Sequence, residues 1–424
     1  MTPFELTAIL VTLVALAGWL NVKTVHMPHG VAMLIAGLAG AALLFVARIA
    51  GLAGASEIVG MVNRIDFSTT VTGYMLAFLL FAGAMQVDLA EVRRLWIPIG
   101  VLASLGVAAS ILVVGGGVWL VASLLQIPLP LTWGLVFGAL ISPTDPVAVL
   151  ATVKHGRLSK RLKVILQGEA LFNDGVGIVV FTALLALAAR TGGASPTQAI
   201  FAIAVEALGG LAFGLIVATL VVRALGTLDD FAVQVSMTIA LAMVSYAGAQ
   251  ALHLSGAIAA VGAGMLFGGE RGRKAIAGES EAFVRNFWTL VDEILNALLF
   301  LLLGIELLVV RFAWSQVGLL GAAIVLVLLA RILIVLPWGA FYRMRRGERG
   351  ATVLLSWGGL RGALSLALAL ALPNGPERAL ILAATYAVVA FSIVAQGLSF
   401  SALTQWVGGG RSPQNDHVPG NAAP

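Results

Sequence analysis

The sequence predicts an all-α membrane protein of about thirteen transmembrane helices, read from apolar runs of roughly twenty residues, the length that crosses a bilayer as a helix. Two features of composition agree. Of the 424 residues 60% are hydrophobic and only 11% charged, with a mean hydropathy of +1.02, whereas a soluble globule is nearer a quarter charged. The 49 glycines suit membrane helices that approach closely or are interrupted.

Composition also excludes other classes. A net charge of +5 and a pI near 9.9 resemble those of a nucleic-acid binder, but the basic residues sit in short loops between apolar runs and form no soluble basic face. No nucleic-acid partner is expected, and membrane lipid is. The absence of cysteine rules out disulfides, thiolate metal sites and thiol catalysis.

In chain order, spans are predicted at residues 4–22, 30–47, 68–87, 95–125, 131–153, 164–190, 198–223, 231–252, 255–269, 284–310, 315–341, 350–372 and 378–406. The first lacks a basic leader and a small-residue cleavage site, so it reads as a retained span. Residues 51–61 read as a short interfacial helix. The tail, 408–424, has no apolar periodicity and is expected to be disordered. Basic residues gather in loops after odd-numbered spans, as at Arg93, Arg94, Lys154, Arg157, Lys160 and Arg161. Loops after even-numbered spans hold only Arg48, Arg64, Arg190, Arg311 and Arg378. The positive-inside rule then puts the N-terminus outside and the C-terminus in the cytoplasm.

Spans five and twelve read as discontinuous. Pro143 and Pro146 flank Thr144 and Asp145 mid-span, and each proline removes a helical hydrogen bond. Span twelve is interrupted by Ser356, Trp357, Gly358, Gly359, Leu360, Arg361 and Gly362. Two broken helices in corresponding places of two halves point to an inverted-repeat transporter with its substrate bound near the midplane.

Span six carries QGEALFNDGVG at 167–177. An acid inside a membrane helix costs about 2.5 to 3.5 kcal/mol on insertion scales, which makes it a functional-site candidate with a partner to be found. At about 100° per residue Glu169 and Asn173 share a face, while Asp174 is turned about a quarter of the circumference from Asn173. One acid is therefore free to meet a structural counter-charge while the other meets an ion. Burial penalises a charged carboxylate and a bound cation restores it, so Asp174 suits exchange of a proton for a small cation. Asn173 and Thr144 offer further oxygens of the kind hard cations prefer, for Na+ or Li+. Two intramembrane arginines, Arg331 and Arg361, are the candidate counter-charges. Glu169 with Arg361 is the expected structural ion pair, Asp145 or a backbone carbonyl being the other choices for Arg361. Arg331 is left with Asp145, a helix C-terminus or a lipid headgroup.

Other polar positions carry weaker signals. Asp292 and Glu293 read as solvated or cavity-lining acids, and Glu206 and Glu306 as peripheral ones. No histidine pair has metal-ligand spacing. Gly210 with Gly214, and Gly264 with Gly268, read as helix-packing steps. The tryptophans read as interfacial anchors.

The sequence resembles the NhaP-type branch of the monovalent cation:proton antiporters, within the sodium/proton exchanger superfamily. Thr144, Asp145 and Pro146, the run EALFND at 169–174 and the run SWGGLRGALSLALAL at 356–370 carry the resemblance, in order and with matching spacing. It implies a thirteen-helix homodimeric antiporter, not an enzyme, that needs no cofactor and transports Na+ (or Li+ or K+) against H+. It implies dimerisation-side helices in residues 1–94, core helices four to six in 95–190, a linker helix with dimerisation-side helices in 191–311, and core helices eleven to thirteen in 312–407. Asp174 would be the ion-binding acid, Asn173 its neighbour, Thr144 and Asp145 further site residues, and Glu169 with Arg361 the core ion pair. A single titrating aspartate implies electroneutral exchange. Two departures stand out: Ala170 replaces a serine that many relatives carry, and Ala82 an acid. A K+/H+ antiporter of the same fold is the nearest alternative. An intramembrane aspartyl protease using Asp145 and Asp174 is the alternative of another class, and the chain lacks its GxGD pattern.

Overall fold

The computed structural model describes residues 3–50, 75–87, 89–145, 160–188, 196–228, 230–276, 279–307, 314–346 and 350–408. Pro146, the segment 51–61 and nearly all of the tail lie outside them. Every regular element among the described residues is helical. Among the described residues, nine helices are long and apolar enough to cross a membrane, and three shorter ones are apolar.

With two short helices, α12 and α13, that belong to neither set, they are in chain order α1 (Pro3–Leu20), α2 (His29–Ile49), α3 (Leu76–Met85), α4 (Trp96–Leu124), α5 (Leu131–Leu140), α6 (Lys160–Ala188), α7 (Pro196–Leu225), α8 (Phe231–Ala251), α9 (Gly256–Gly268), α10 (Glu279–Leu307), α11 (Val317–Arg346), α12 (Ala351–Trp357), α13 (Ala363–Leu370) and α14 (Pro376–Val407). Local chemistry sets several ends. Asp230 caps α8, its Oδ1 accepting from the amides of Ala232 and Val233 at 2.8 and 3.1 Å, and Pro376 opens α14 where its missing N–H costs nothing. Helix α5 stops at Leu140, and the chain leaves helical geometry from Ser142 to Asp145, at the expected break in span five. Span twelve is likewise two helices, α12 and α13, with Gly358 to Gly362 between them.

The helices form two groups. α2, α3 and α7 to α10 pack on one another, as do α4 to α6 and α11 to α14. The groups meet where α6 crosses α7 and α9, where α10 crosses α13 and where α2 meets α14. Small residues allow the closest crossings. A Cβ on Gly210 or Gly214 would run into the backbone of Ser255 or Ala259, and one on Gly264 or Gly268 into the carbonyls of Phe81 or Met85. These glycines therefore seat α9 between α7 and α3, as the small-residue spacing suggests.

One reading is corrected by packing. Trp288 is fully buried and is no interfacial anchor. Its ring lies 4.6 Å from that of Phe81, and its Nε1 donates to Thr238 Oγ1 at 2.9 Å. A satisfied indole N–H allows a tryptophan to sit in an apolar core. Trp19, Trp96 and Trp406 are exposed, where anchors belong.

Candidate functional site

The two non-helical stretches cross each other. The Asp145 amide donates to the Leu360 carbonyl at 2.8 Å, so each interrupted segment satisfies a backbone group that the other leaves without a helical partner. The approach is close: a Cβ on Gly362 would lie 2.5 Å from the Asp145 side chain. Glycine is required there for space.

Arg361 is buried inside this crossing. Its Nη1 donates to the carbonyls of Ser142 and Pro143 at 2.5 and 3.1 Å, the acceptors that the proline-interrupted stretch exposes. On its own side, the Arg361 amide donates to Ser392 Oγ at 2.8 Å, Ser392 donates to Gln396 Oε1 at 2.7 Å, and Gln396 Nε2 donates to the Trp357 carbonyl at 3.2 Å. A π-helical turn in α14, Ser392–Gln396, thus bridges both ends of the break in span twelve. Sequence reasoning overlooked Ser392 and Gln396. Their spacing of four, with Ser399 three further on, marks one polar face in an apolar helix.

The expected ion pair is corrected. Glu169, 1% exposed, is held by Arg331 and not by Arg361. Both carboxylate oxygens are engaged, Oε1 by Nη1 and Oε2 by Nη2, the latter at 2.9 Å. Arg331 Nε also donates to the Leu355 carbonyl at 3.0 Å, near the end of α12. Of the partners considered for Arg331, the helix end is present and the carboxylate is that of Glu169. Either guanidinium fork could match the carboxylate bidentately, so placement decides: Arg331, on α11, is the one that reaches both oxygens. Arg361 instead serves the freed carbonyls of the break. Gly359 makes room for Arg331, since a Cβ there would sit 2.6 Å from Nε.

Asp174 stands apart from that pair. It lines a cavity of about 370 Å³ together with Thr144, Asp145, Gly362 and Ser365. The Thr144 amide donates to its carboxylate, while Oδ1 is buried with no hydrogen-bond partner. Asn173 points elsewhere: its Nδ2 donates to the Ser142 carbonyl at 2.7 Å, tying α6 to the broken stretch. It does not line the cavity with Asp174. The opposite wall carries Asp292 and Glu293 of α10, and Asp292 accepts from Gln86 Nε2 at 3.4 Å and Asn296 Nδ2 at 3.1 Å. Those acids line the cavity, as their positions suggested. No cluster of three or more His, Cys, Asp or Glu side chains suited to a resident metal occurs among the described residues. An oxygen-lined cavity with one unsatisfied carboxylate oxygen suits a weakly held, exchangeable cation.

Comparison with known proteins agrees with this geometry. The family model described as "Sodium/hydrogen exchanger, transmembrane" matches residues 9–406. The chain belongs to the transmembrane sodium/hydrogen exchanger family. It is 39% identical over 420 residues to the Na+/H+ antiporter NhaP of Pseudomonas aeruginosa, covering 96% of this chain and 97% of that protein. It is 32% identical over 411 residues to the Na+/H+ antiporter NhaH of Halobacillus aidingensis, covering 95% and 96%. The solved sodium proton antiporter MjNhaP1 of Methanocaldococcus jannaschii superposes with a TM-score of 0.73 at 17% identity, over 96% of this chain and all of that one. This exchanger therefore has the NhaP fold in a multi-pass membrane protein, and its named relatives are antiporters and not enzymes.

Proposed function

We propose that the protein exchanges one Na+ (or Li+ or K+) for one H+ by alternating access, the proton and the cation competing for Asp174. The observation that carries this reading is the Asp174 carboxylate itself: one oxygen is buried without a partner, on the wall of a cavity, beside the crossing of two broken helices. A carboxylate in that setting gains from either a proton or a cation, and the hydrogen bonds of the two buried guanidinium groups go elsewhere, Arg331 to Glu169 and Arg361 to carbonyls. Thr144 and Asp145 line the same cavity and supply further oxygens, and Asn173 keeps the broken stretch against α6. One exchangeable charge at one acid makes the exchange electroneutral.

In this reading the protein is a homodimer of thirteen-helix chains in the cell membrane, its N-terminus outside and its C-terminus cytoplasmic. The group α4 to α6 with α11 to α14 moves against the group containing α2, α3 and α7 to α10. Few helices join the two groups, and the cavity lies between a wall from each, which is the arrangement a moving core requires.

The test is proton flux in reconstituted vesicles on adding Na+, Li+ or K+, comparing the natural chain with Asp174→Asn. The substitution keeps the shape of the side chain and removes its titration, so exchange should vanish while the dimer persists on size-exclusion chromatography. Undiminished exchange in Asp174→Asn would overturn the reading. A flux driven by K+ and not by Na+ would favour the K+/H+ form of the same mechanism.

A further inference from the structure

Several buried hydroxyls return a hydrogen bond to a helical carbonyl one turn earlier, as Thr385 does to Ile381 at 2.8 Å and Thr238 to Val235 at 2.7 Å; Ser365, like Ser245, does not. Ser365 lies in the first turn of α13, where the residues three and four before it, Gly362 and Arg361, belong to the break and present no helical carbonyl. Its Oγ is buried with no partner, and the residue is 0% exposed. Burying an unpaired hydroxyl is unfavourable, so such a group in a native protein calls for an explanation.

The surroundings supply one. Ser365 lines the cavity that also holds Asp174, Thr144 and Asp145, and it follows by one turn Gly362, which packs on the Asp145 side chain. Ala170 also lines the cavity and sits one turn before Asp174 on the same face of α6, where it offers only a methyl group. Asp174 Oδ1 is likewise buried without a partner. Two unsatisfied oxygens, from two helices of the same group, thus border one cavity next to an apolar position.

We propose that Ser365 is a cation ligand of this exchanger, its hydroxyl completing the shell of the ion held by Asp174 and setting the affinity for that ion. The inference rests on the assignment of Asp174 as the ion-binding acid. A neutral hydroxyl contributes an oxygen without adding charge, so it tunes cation affinity while leaving the one-for-one exchange unchanged. Hard monovalent ions take such ligands readily. The hydroxyl comes from α13, past the break in span twelve, so the ion would join that broken span to α6 within the moving group.

The test is exchange in vesicles at several concentrations of NaCl, LiCl and KCl. Ser365→Ala should raise KM for the transported cation about tenfold, the change that losing one good ligand brings, with kcat within twofold and the yield of folded dimer unchanged. Placing the hydroxyl on α6 instead, in Ser365→Ala/Ala170→Ser, should restore most of the affinity. An unchanged KM in Ser365→Ala overturns the proposal and means that the hydroxyl meets only water. A raised KM that Ala170→Ser does not lower overturns it too, because a ligand lost from the shell is replaceable from α6 and a disturbed helix is not. These outcomes are separable from failure of the Asp174 assignment, which shows as exchange surviving in Asp174→Asn whatever Ser365 does.

Discussion

An Arg331→Met substitution would leave the Glu169 carboxylate, 1% exposed, with no guanidinium on either oxygen. Methionine fills comparable length and adds no charge, so the perturbation is electrostatic. Breaking a buried pair by removing one partner costs about 3–5 kcal/mol, because the remaining charge is uncompensated, and the stranded Leu355 carbonyl adds about 1 kcal/mol. Replacing both members by apolar side chains is often nearly neutral. The double variant Glu169→Met/Arg331→Met should therefore recover most of the loss, giving a coupling energy of about 3 kcal/mol. The matching cycle of Glu169→Met with Arg361→Met should couple by at most about 1 kcal/mol, since those side chains share surroundings and no hydrogen bond. Tryptophan fluorescence during denaturation of the detergent-solubilised protein measures both cycles. A larger coupling of Glu169 to Arg361 than to Arg331 would refute the pairing and the reasoning built on it.

Gly359→Ala should push the Arg331 guanidinium off its partner, since the new methyl would lie 2.6 Å from Nε, and destabilise the protein by about 1–3 kcal/mol in the same denaturation assay. Ser392→Ala removes the buried acceptor of the Arg361 amide and should cost about 1–3 kcal/mol, with exchange in vesicles slowed because the broken stretch is less firmly held. Trp288→Phe keeps the ring against Phe81 but loses the bond to Thr238. It should cost about 1 kcal/mol of stability and leave exchange unchanged. At the surface, the hydrogen bond from the Lys274 ammonium holds Glu270 below the usual carboxylate range. Any stabilisation from that pair is present above the ordinary glutamate value and lost as pH falls through the lowered one. Full exposure and salt screening make it negligible, so Glu270→Gln should leave the melting temperature unchanged across that pH window.

Much of the architecture was legible because hydropathy is a local property. A run of twenty apolar residues must be a helix wherever its neighbours lie, since lipid leaves no other way to satisfy its backbone. The breaks at Pro143 and at Gly358 to Gly362 were legible for the same reason, as proline and glycine act on their own turn. The acids of α6 stood out by the cost of charge in an apolar run, and Asp292 read as solvated or cavity-lining from its place near the end of span ten.

What the sequence by itself determined about this protein is therefore its class, its interrupted helices and the residues able to do chemistry. Which of those residues touch was decided by tertiary structure alone. Arg331 and Arg361 are equally basic and equally embedded in apolar text, yet one grips Glu169 and the other the carbonyls of Ser142 and Pro143. That choice depends on distances between helices far apart in the chain, as do the burial of Trp288 and the bridging by Ser392 and Gln396. A side chain's charge is written in its own residue, whereas its partner is set by how the helices cross.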